Sequence, residues 1–193
     1  MKQISNLLGP NHYNMVRLKL DSQETPWYRS TVTANFNDPV KSYGSSFSHL
    51  IYSRDKGGQT SDVIDIALPI LLSALDRQNL ELRELYRVRL GMLTRVPFEL
   101  IHPPHVDNPE ACPQPHTVGL YYITASDGDT IIYNETKDSE SYTEQARSTP
   151  SQNSWIDFDG KYYHSSTCPQ KHEQRVVITF NYTSAISGAG LPR

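Results

Sequence analysis

The sequence predicts a mainly β domain, a sandwich or jelly roll with one or two helices packed against its outside. Three observations support this fold class. Apolar and polar residues alternate in several short segments, Asp-Gly pairs follow two of them, and only one segment has the apolar spacing of a helix. Twelve tyrosines and thirteen prolines are also typical of strands separated by turns.

Size and charge narrow the class of protein. The 193 residues suffice for one domain with a substantial core. The chain has 18 Lys and Arg and 21 Asp and Glu, and its basic residues do not form a run. This balance disfavours a nucleic-acid partner. The two cysteines, Cys112 and Cys168, are too few for a disulfide framework, and they are not spaced like the ligands of a zinc site. Because residues 1–14 lack the apolar run of a signal peptide and no segment could cross a bilayer, we expect a cytoplasmic protein without membrane contact.

Residues 1–59 are predicted to form short strands and turns. The segments 16–20 and 30–34 alternate apolar and polar residues, which is the pattern of a half-buried strand. Gly57 and Gly58 end this region as a turn or loop.

The segment 61–77 is predicted to be a helix that covers one face of a sheet. Ile66 and Ile70 lie four residues apart on its apolar face. Ser61 is the expected N-cap. Pro69 should kink the helix, because its ring removes one backbone hydrogen bond.

From residue 84 onward the apolar period becomes two, and strands should follow one another. The predicted strands are 86–90, 117–123, 130–133, 155–158, 161–164 and 175–182. Asp127-Gly128 and Asp159-Gly160 occupy positions typical of hairpin turns. The polar segment 136–154 is predicted to be a long surface loop. We expect one domain over 1–183, with its core in 86–183, and a flexible tail over 184–193.

Two metal-capable side chains, His105 and Asp107, stand one residue apart in the segment 101–109. On an extended strand, residues i and i+2 point to the same face, so this pair would offer an imidazole nitrogen and a carboxylate oxygen to one ion. A second histidine would complete a set that occupies one face of an octahedral Fe(II) and leaves the opposite face open.

The order of the later residues resembles a known family. His164 closes a predicted strand before Ser165, and Arg175 lies within the final strand. With the His-x-Asp pair upstream, the chain resembles the Fe(II)- and 2-oxoglutarate-dependent dioxygenases, most closely the prolyl-4-hydroxylase-like branch with its phage-encoded members. The similarity covers about residues 86–183. The matching segments are 102–109, 120–123, 126–130, 158–165 and 175–181.

This resemblance implies a double-stranded β-helix, a cupin-like jelly roll, with Fe(II) at its open end. It implies that His105, Asp107 and His164 are the metal ligands, and that 2-oxoglutarate and O₂ are cosubstrates. Arg175 would bind the distal carboxylate of 2-oxoglutarate, since a guanidinium can hold a carboxylate through two parallel charge-assisted hydrogen bonds.

Two further residues match the family by position. Tyr122 would hydrogen-bond the cosubstrate, and Tyr121 is the alternative because neighbouring strand residues face opposite sides. Thr179 should point the same way as Arg175 and would contact the cosubstrate or a water beside it. The alternative for Thr179 is a structural interior hydroxyl.

The sequence contains other histidines that could be the third ligand. His172 and His116 are the alternatives to His164, but His172 lies too close to Arg175 along one strand to reach the same ion. His102 is expected to face solvent or the pocket rim. No role is predicted for His12, His49, Arg87 or Arg89.

The implied activity is hydroxylation of a C–H bond coupled to oxidative decarboxylation of 2-oxoglutarate. The substrate is an unidentified peptide or small molecule, and a peptidyl proline rests on family analogy alone. Two alternative hypotheses assign other functions to the same residues. The protein would be a zinc-dependent hydrolase, or a non-enzymatic cupin-like module that binds a metal or ligand. If a phage encodes the chain, the compartment would be the host cytoplasm.

Overall fold

The computed structural model describes residues 1–20, 24–30, 46–107 and 112–188. Its helices are α1 (Pro10–Leu20) and α2 (Ile64–Arg77), with one 3₁₀ turn at Arg54–Lys56. Its strands are β1 (Lys2–Ile4), β2 (Tyr28–Ser30), β3 (Ser46–Ser53), β4 (Gly58–Gln59), β5 (Leu80–Thr94), β6 (Thr117–Tyr122), β7 (Thr130–Tyr133), β8 (Glu144–Ser148), β9 (Ser154–Asp159), β10 (His164–Ser166) and β11 (Gln174–Ile186). No described helix is long and apolar enough to cross a membrane.

The strands form two antiparallel sheets. The larger sheet has the order β1-β9-β6-β11-β5-β3-β2, with β4 beside β3, and the smaller has the order β10-β7-β8. The long strand β11 lies between β5 and β6 and pairs with both. This mainly β architecture with two helices is the predicted fold class, and the strand that carries Arg175 is central in it.

Alternation along the strands gives the large sheet two distinct faces. The face towards α2 buries Leu90, Tyr121 and Phe180 in the main apolar cluster, together with Ile70 and Leu71 of the helix. Full burial of each such side chain contributes roughly 1.5–3 kcal/mol. This packing fixes which side chains of β5, β6 and β11 turn inward.

The opposite face of the large sheet looks towards the small sheet. There Leu120, Tyr122 and Val177 pack with Phe158 of β9 and with Ile132 of β7. Since strand neighbours alternate, Arg175 and Thr179 share this inner face with Val177. The inner face is where the candidate site lies.

The predicted strand over 16–20 is wrong, because these residues belong to α1. A strand would bury Val16, Leu18 and Leu20 on one face, whereas the structure buries Val16 and Leu20 and leaves Leu18 68% exposed. Burial at i and i+4 is the helical spacing, and Pro10 is tolerated in the first turn of a helix. Of the predicted strand 30–34, Ser30 ends β2, and 31–34 lie outside the described residues.

The predicted helix over 61–77 is present but begins at Ile64. Ser61 is not its N-cap residue. Its hydroxyl accepts a hydrogen bond from the Val63 amide at 3.2 Å, within a turn that precedes the helix. The helix continues through Pro69 to Arg77, and its buried face covers the large sheet as predicted.

Both predicted hairpins are wrong, because each Asp-Gly pair connects strands of different sheets. The segment around Asp127 joins β6 to β7, and Asp159-Gly160 leads from β9 towards β10. The Asp127 carboxylate accepts backbone N–H bonds from residues 170, 171 and 172 at 3.1, 2.9 and 3.0 Å. Asp127 therefore holds a distant loop instead of a local turn. Of the predicted strand 161–164, only His164 is in a strand.

The predicted loop and tail are shorter than expected. Residues 144–148 of the loop 136–154 form β8, which pairs with β7. Strand β11 continues through Ile186, opposite Leu80 of β5, so residues 184–186 do not belong to a flexible tail. Residues 189–193 lie outside the described part of the chain.

Candidate metal centre

His105, Asp107 and His164 lie together on the inner face, with one donor atom from each within 4.8 Å of the others. His105 and His164 face each other across a single antiparallel bridge, in which their backbone N–H groups donate to each other's carbonyls at 3.0 and 2.8 Å. The bridge brings their ring centroids to 4.5 Å. Backbone pairing thus places two imidazoles side by side.

The His-x-Asp pair is not on a continuous strand, contrary to the sequence prediction. Residues 102–104, 106 and 107 lie in no strand, and only the bridge fixes His105. Pro103 and Pro104 lack the N–H groups that a ladder needs. The two side chains converge nonetheless.

Both imidazoles are oriented by backbone carbonyls. Nδ1 of His105 lies 3.2 Å from the Pro103 carbonyl, and Nδ1 of His164 lies 3.3 Å from the Tyr162 carbonyl. A carbonyl only accepts, so Nδ1 carries a hydrogen in each ring, and Nε2 is the ring atom left to bind a metal. Burial, and then the neighbouring His164, lower the pKa of His105 to about 3. A neutral imidazole of this kind is a ready metal ligand.

The Asp107 carboxylate is held by two further side chains. Asn181 donates from Nδ2 to Oδ2 at 2.6 Å, and Nη1 of Arg87 lies 3.5 Å from Oδ1. Burial alone would raise the pKa of this carboxyl, but the two histidines, Arg87 and Asn181 hold it well below the ordinary range. The group is therefore an anionic oxygen donor at neutral pH.

Arg175 lies in the same cavity, 5% exposed, with part of its guanidinium already bound. Its Nε donates to the Gly128 carbonyl at 2.8 Å, and its Nη2 donates to Oγ1 of Thr130 at 2.7 Å. Thr130 also accepts a hydrogen bond from the Tyr122 hydroxyl at 2.8 Å. Burial lowers the pKa of Arg175, yet the guanidinium remains a cation at neutral pH because its ordinary pKa is so high.

The two tyrosine alternatives lie on opposite faces of β6. Tyr122 is on the inner face, where its hydroxyl touches Thr130, whereas Tyr121 packs towards α2 and donates to Oδ1 of Asn153 at 3.0 Å. Thr179 is on the inner face and lines the cavity. The cosubstrate roles of Tyr122 and Thr179 stay predictions.

The remaining histidines are apart from the cluster. His172 is bound to Asp127 at 2.8 Å on the surface. His116 is buried against Gly160, outside the lining of the cluster's cavity. Of the two places predicted for His102, solvent is wrong, because the residue is 3% exposed. His102 instead lines the cavity, with Nδ1 3.1 Å from the Ser166 carbonyl.

Several residues that build the site were not singled out from the sequence. Asn181 and Thr130 hold Asp107 and Arg175, while Arg87 and Arg89 come from β5. The alternation of β11 was a usable signal, since position 181 is an even number of residues from Arg175 and so shares its face. Arg87 and Arg89 reach the site because β5 pairs with β11, and no local sequence pattern predicts that pairing.

We expect Asn181→Ala to weaken binding of a divalent metal about 10- to 100-fold, the range found when a partner of a metal ligand is lost. The amide fixes the Asp107 carboxylate, and its loss frees that group to rotate. The measurement is calorimetric titration with Co(II) or Zn(II). Asn134→Ala removes an exposed amide bound to Thr143 and should leave the affinity unchanged. Equal affinities for all three proteins would contradict this role.

Comparisons with known proteins agree with this fold. Neither the protein-family models nor the curated proteins give a match to this sequence. Among solved structures, the non-heme alpha ketoglutarate dependent epimerase SnoN from nogalamycin biosynthesis gives a TM-score of 0.63 at 12% identity, covering 98% of this chain and 81% of that one.

Two other solved structures are similar at comparable identity. A prolyl hydroxylase from Trichoplax adhaerens, in complex with a hypoxia inducible factor peptide fragment, gives a TM-score of 0.57 at 16% identity over 94% of this chain and 82% of that one. HygX from Streptomyces hygroscopicus, with nickel, 2-oxoglutarate and hygromycin B bound, gives a TM-score of 0.53 at 13% identity. The similarity covers 93% of this chain and 81% of that one. The chain thus has the double-stranded β-helix fold of 2-oxoglutarate-Fe(II) oxygenases.

Proposed function

We propose that this protein is an Fe(II)- and 2-oxoglutarate-dependent oxygenase that hydroxylates a C–H bond of a small molecule or peptide. We further propose that it belongs to the prolyl-4-hydroxylase-like branch, with its phage-encoded members, and acts in the cytoplasm. One observation carries the activity: a cluster of two histidines and one carboxylate shares a cavity with the buried cation of Arg175.

The donor set fits Fe(II). Two imidazole nitrogens and one carboxylate oxygen suit this ion and leave coordination positions free for other ligands. Nε2 of His105, Nε2 of His164 and the Asp107 carboxylate would hold it. When bound, the metal supplies the activation of O₂ that couples oxidation of a C–H bond to decarboxylation of 2-oxoglutarate.

The protein's own groups would position the cosubstrate. A guanidinium has five N–H donors, and Arg175 engages Gly128, Thr130 and the Tyr122 hydroxyl, which leaves donors for a carboxylate. Oγ1 of Thr130 accepts from both Arg175 and Tyr122, which leaves its own hydrogen to donate. Tyr122 would therefore act through Thr130 and through its own hydrogen bond with Arg175, and Thr179 would contact the ligand directly from the cavity wall.

The buried arginine also separates this proposal from the other two readings. A zinc-dependent hydrolase needs the three ligands and a water, and a metal-binding module needs only the ligands. Neither hypothesis requires a buried arginine without an ion-pair partner among the described residues in the same cavity. An isolated charge in such a place is costly unless a ligand compensates it.

The direct test is formation of succinate from 2-oxoglutarate that depends on Fe(II) and O₂. We expect slow turnover without any substrate and faster turnover with the right one. Mass spectrometry of the stimulating compound then identifies the reaction, because hydroxylation adds one oxygen atom whereas epimerisation leaves the mass unchanged. No succinate from iron-loaded protein, with hydrolysis by the zinc form, would favour the hydrolase instead.

We expect Gly128→Ala to weaken 2-oxoglutarate binding by about tenfold or more while metal affinity is retained. A Cβ at position 128 would lie 2.7 Å from the Thr167 carbonyl oxygen and 2.9 Å from Cδ of Arg175. Arg175 would have to move from its place over the Gly128 backbone. Gly9→Ala is the matched control, because a Cβ there meets nothing within 4 Å. The two affinities are measured by separate titrations, and unchanged cosubstrate affinity would rule out this positioning.

A further inference from the structure

A second arginine, Arg89, lines the metal cavity, where Asp107 is the described carboxylate whose charge acts on it. It lines the same cavity as His105 and Arg175, and among the described residues no hydrogen bond or ion pair involves it. It stands on β5 opposite Thr179 of β11. Its neighbour Arg87 differs, because that side chain is paired with Asp107 at 3.5 Å.

Arg89 also lines an adjoining groove, so it lies where the two spaces meet. The groove runs over the inner face of β3 and β5, and Ser46, Ser48, Gly91 and Ser166 are among its lining residues. Gly91 leaves the groove open, since a Cβ there would meet only Val177, at 3.9 Å. A polar molecule in this groove would lie within reach of the Arg89 guanidinium and beside the metal cavity.

The charges of the occupied site leave Arg89 uncompensated. Arg87 is paired with Asp107. The proposed metal, Arg175 and Arg89 together carry four positive charges, of which 2-oxoglutarate offsets two, so two positive charges of the occupied site have no counter-charge. One cosubstrate carboxylate is assigned to Arg175 and the other to the metal. Burial lowers the pKa of Arg89 to about 10, so it is still a cation at neutral pH. A buried cation is costly without a counter-charge.

We propose that Arg89 binds a carboxylate of the prime substrate. This inference rests on the proposed function and narrows its substrate class to molecules that carry an anionic group near the oxidised carbon, such as an amino acid, another carboxylic acid or a peptide terminus. An uncharged residue within a peptide would leave Arg89 unpaired. The planar guanidinium suits this role, since it binds a carboxylate at two points and so fixes the orientation of the attached carbon chain.

The test uses the full chain loaded with Zn(II), which is diamagnetic, and follows the arginine Nε–H signals by NMR. Arg89→Gln and Arg175→Gln assign the two signals. Acetate is the probe, and acetamide is its uncharged match. We expect 2-oxoglutarate to shift the Arg175 signal and not that of Arg89. Acetate added next should shift the Arg89 signal, and acetamide should not.

The backbone amide of Thr179 gives an independent reading of acetate binding in Arg89→Gln. We expect acetate to bind this variant at least about tenfold more weakly, because one charge-assisted contact is lost. An Arg89 signal that ignores acetate overturns the proposal. A signal that shifts with 2-oxoglutarate, and no further with acetate, also overturns it, because the anion would then be the cosubstrate. If Arg175 ignores 2-oxoglutarate, the proposed function fails, whereas acetate binding at Arg89 can still be read in the zinc form.

Discussion

His164→Ala is expected to weaken binding of Fe(II), Co(II) and Zn(II) by more than about 100-fold. Loss of a residue that merely supports a metal ligand costs about 10–100-fold, so loss of a ligand should cost more. The remaining pair, His105 and Asp107, would hold the ion through only two side chains. Titration of the purified variant with Co(II), followed by visible absorption, measures the effect.

His172→Ala is the matched control for His164→Ala. Both substitutions remove an imidazole, but His172 lies on the surface beside Asp127, outside the cluster. It should leave metal affinity within about twofold of the wild type, which is less than 0.5 kcal/mol. Thermal unfolding of both variants without metal shows whether the fold is intact. Tight metal binding by a folded His164→Ala protein would contradict the assignment of the third ligand.

Arg175→Ala is expected to weaken 2-oxoglutarate binding by about 30- to 5000-fold, which corresponds to about 2–5 kcal/mol. This is the usual cost of removing one partner of a buried, hydrogen-bonded charge pair. Metal affinity should stay close to that of the wild type, because Arg175 makes no contact with the three ligands among the described residues. Anaerobic titration of the iron-loaded variant with 2-oxoglutarate measures the loss.

Two further proteins make the Arg175 result specific. Arg147→Ala removes an arginine of the small sheet that is paired with Asp129 and Glu144 at the surface, and it should not change cosubstrate affinity. Arg175→Lys retains the charge but not the planar fork, so it should recover only part of the binding. If Arg175→Ala binds 2-oxoglutarate as well as Arg147→Ala does, the cavity cation is not the anchor.

The sequence predicted those parts of the molecule that depend on local pattern. Alternation located β6, β7, β9 and β11, and helical spacing located α2. The His-x-Asp motif and the order of His164 and Arg175 selected three side chains that converge within 4.8 Å and a cation that lines the same cavity. Composition and alternation were therefore sufficient for the fold class, whereas the choice of His164 as the third member of the cluster came from the family resemblance.

The errors arose where tertiary contacts override local pattern. The segment 16–20 alternates like a strand, but burial of Val16 and Leu20 makes it a helix. Asp127 stands at a hairpin position, yet its carboxylate holds the backbone of residues 170–172. Arg89 carried no local signal at all, because its place in the site depends on how β5 pairs with β11.

The architecture explains how one strand organises the site. Arg175, Thr179 and Asn181 alternate along the inner face of β11, so one element carries the proposed cosubstrate anchor, a cavity-wall hydroxyl and the support for Asp107. Its outer face is held by apolar packing against α2. Because the two faces are fixed together, a shift of the helix would move all three inner groups at once.

The most direct test of the account is the visible spectrum of the anaerobic Fe(II) protein during titration with 2-oxoglutarate. The account predicts a weak metal-to-ligand charge-transfer band that saturates at an equimolar ratio. It also predicts no such band with succinate, which lacks the keto group. A protein that binds Fe(II) tightly and develops no band with 2-oxoglutarate would contradict the central claim that the metal cluster and Arg175 hold this cosubstrate together.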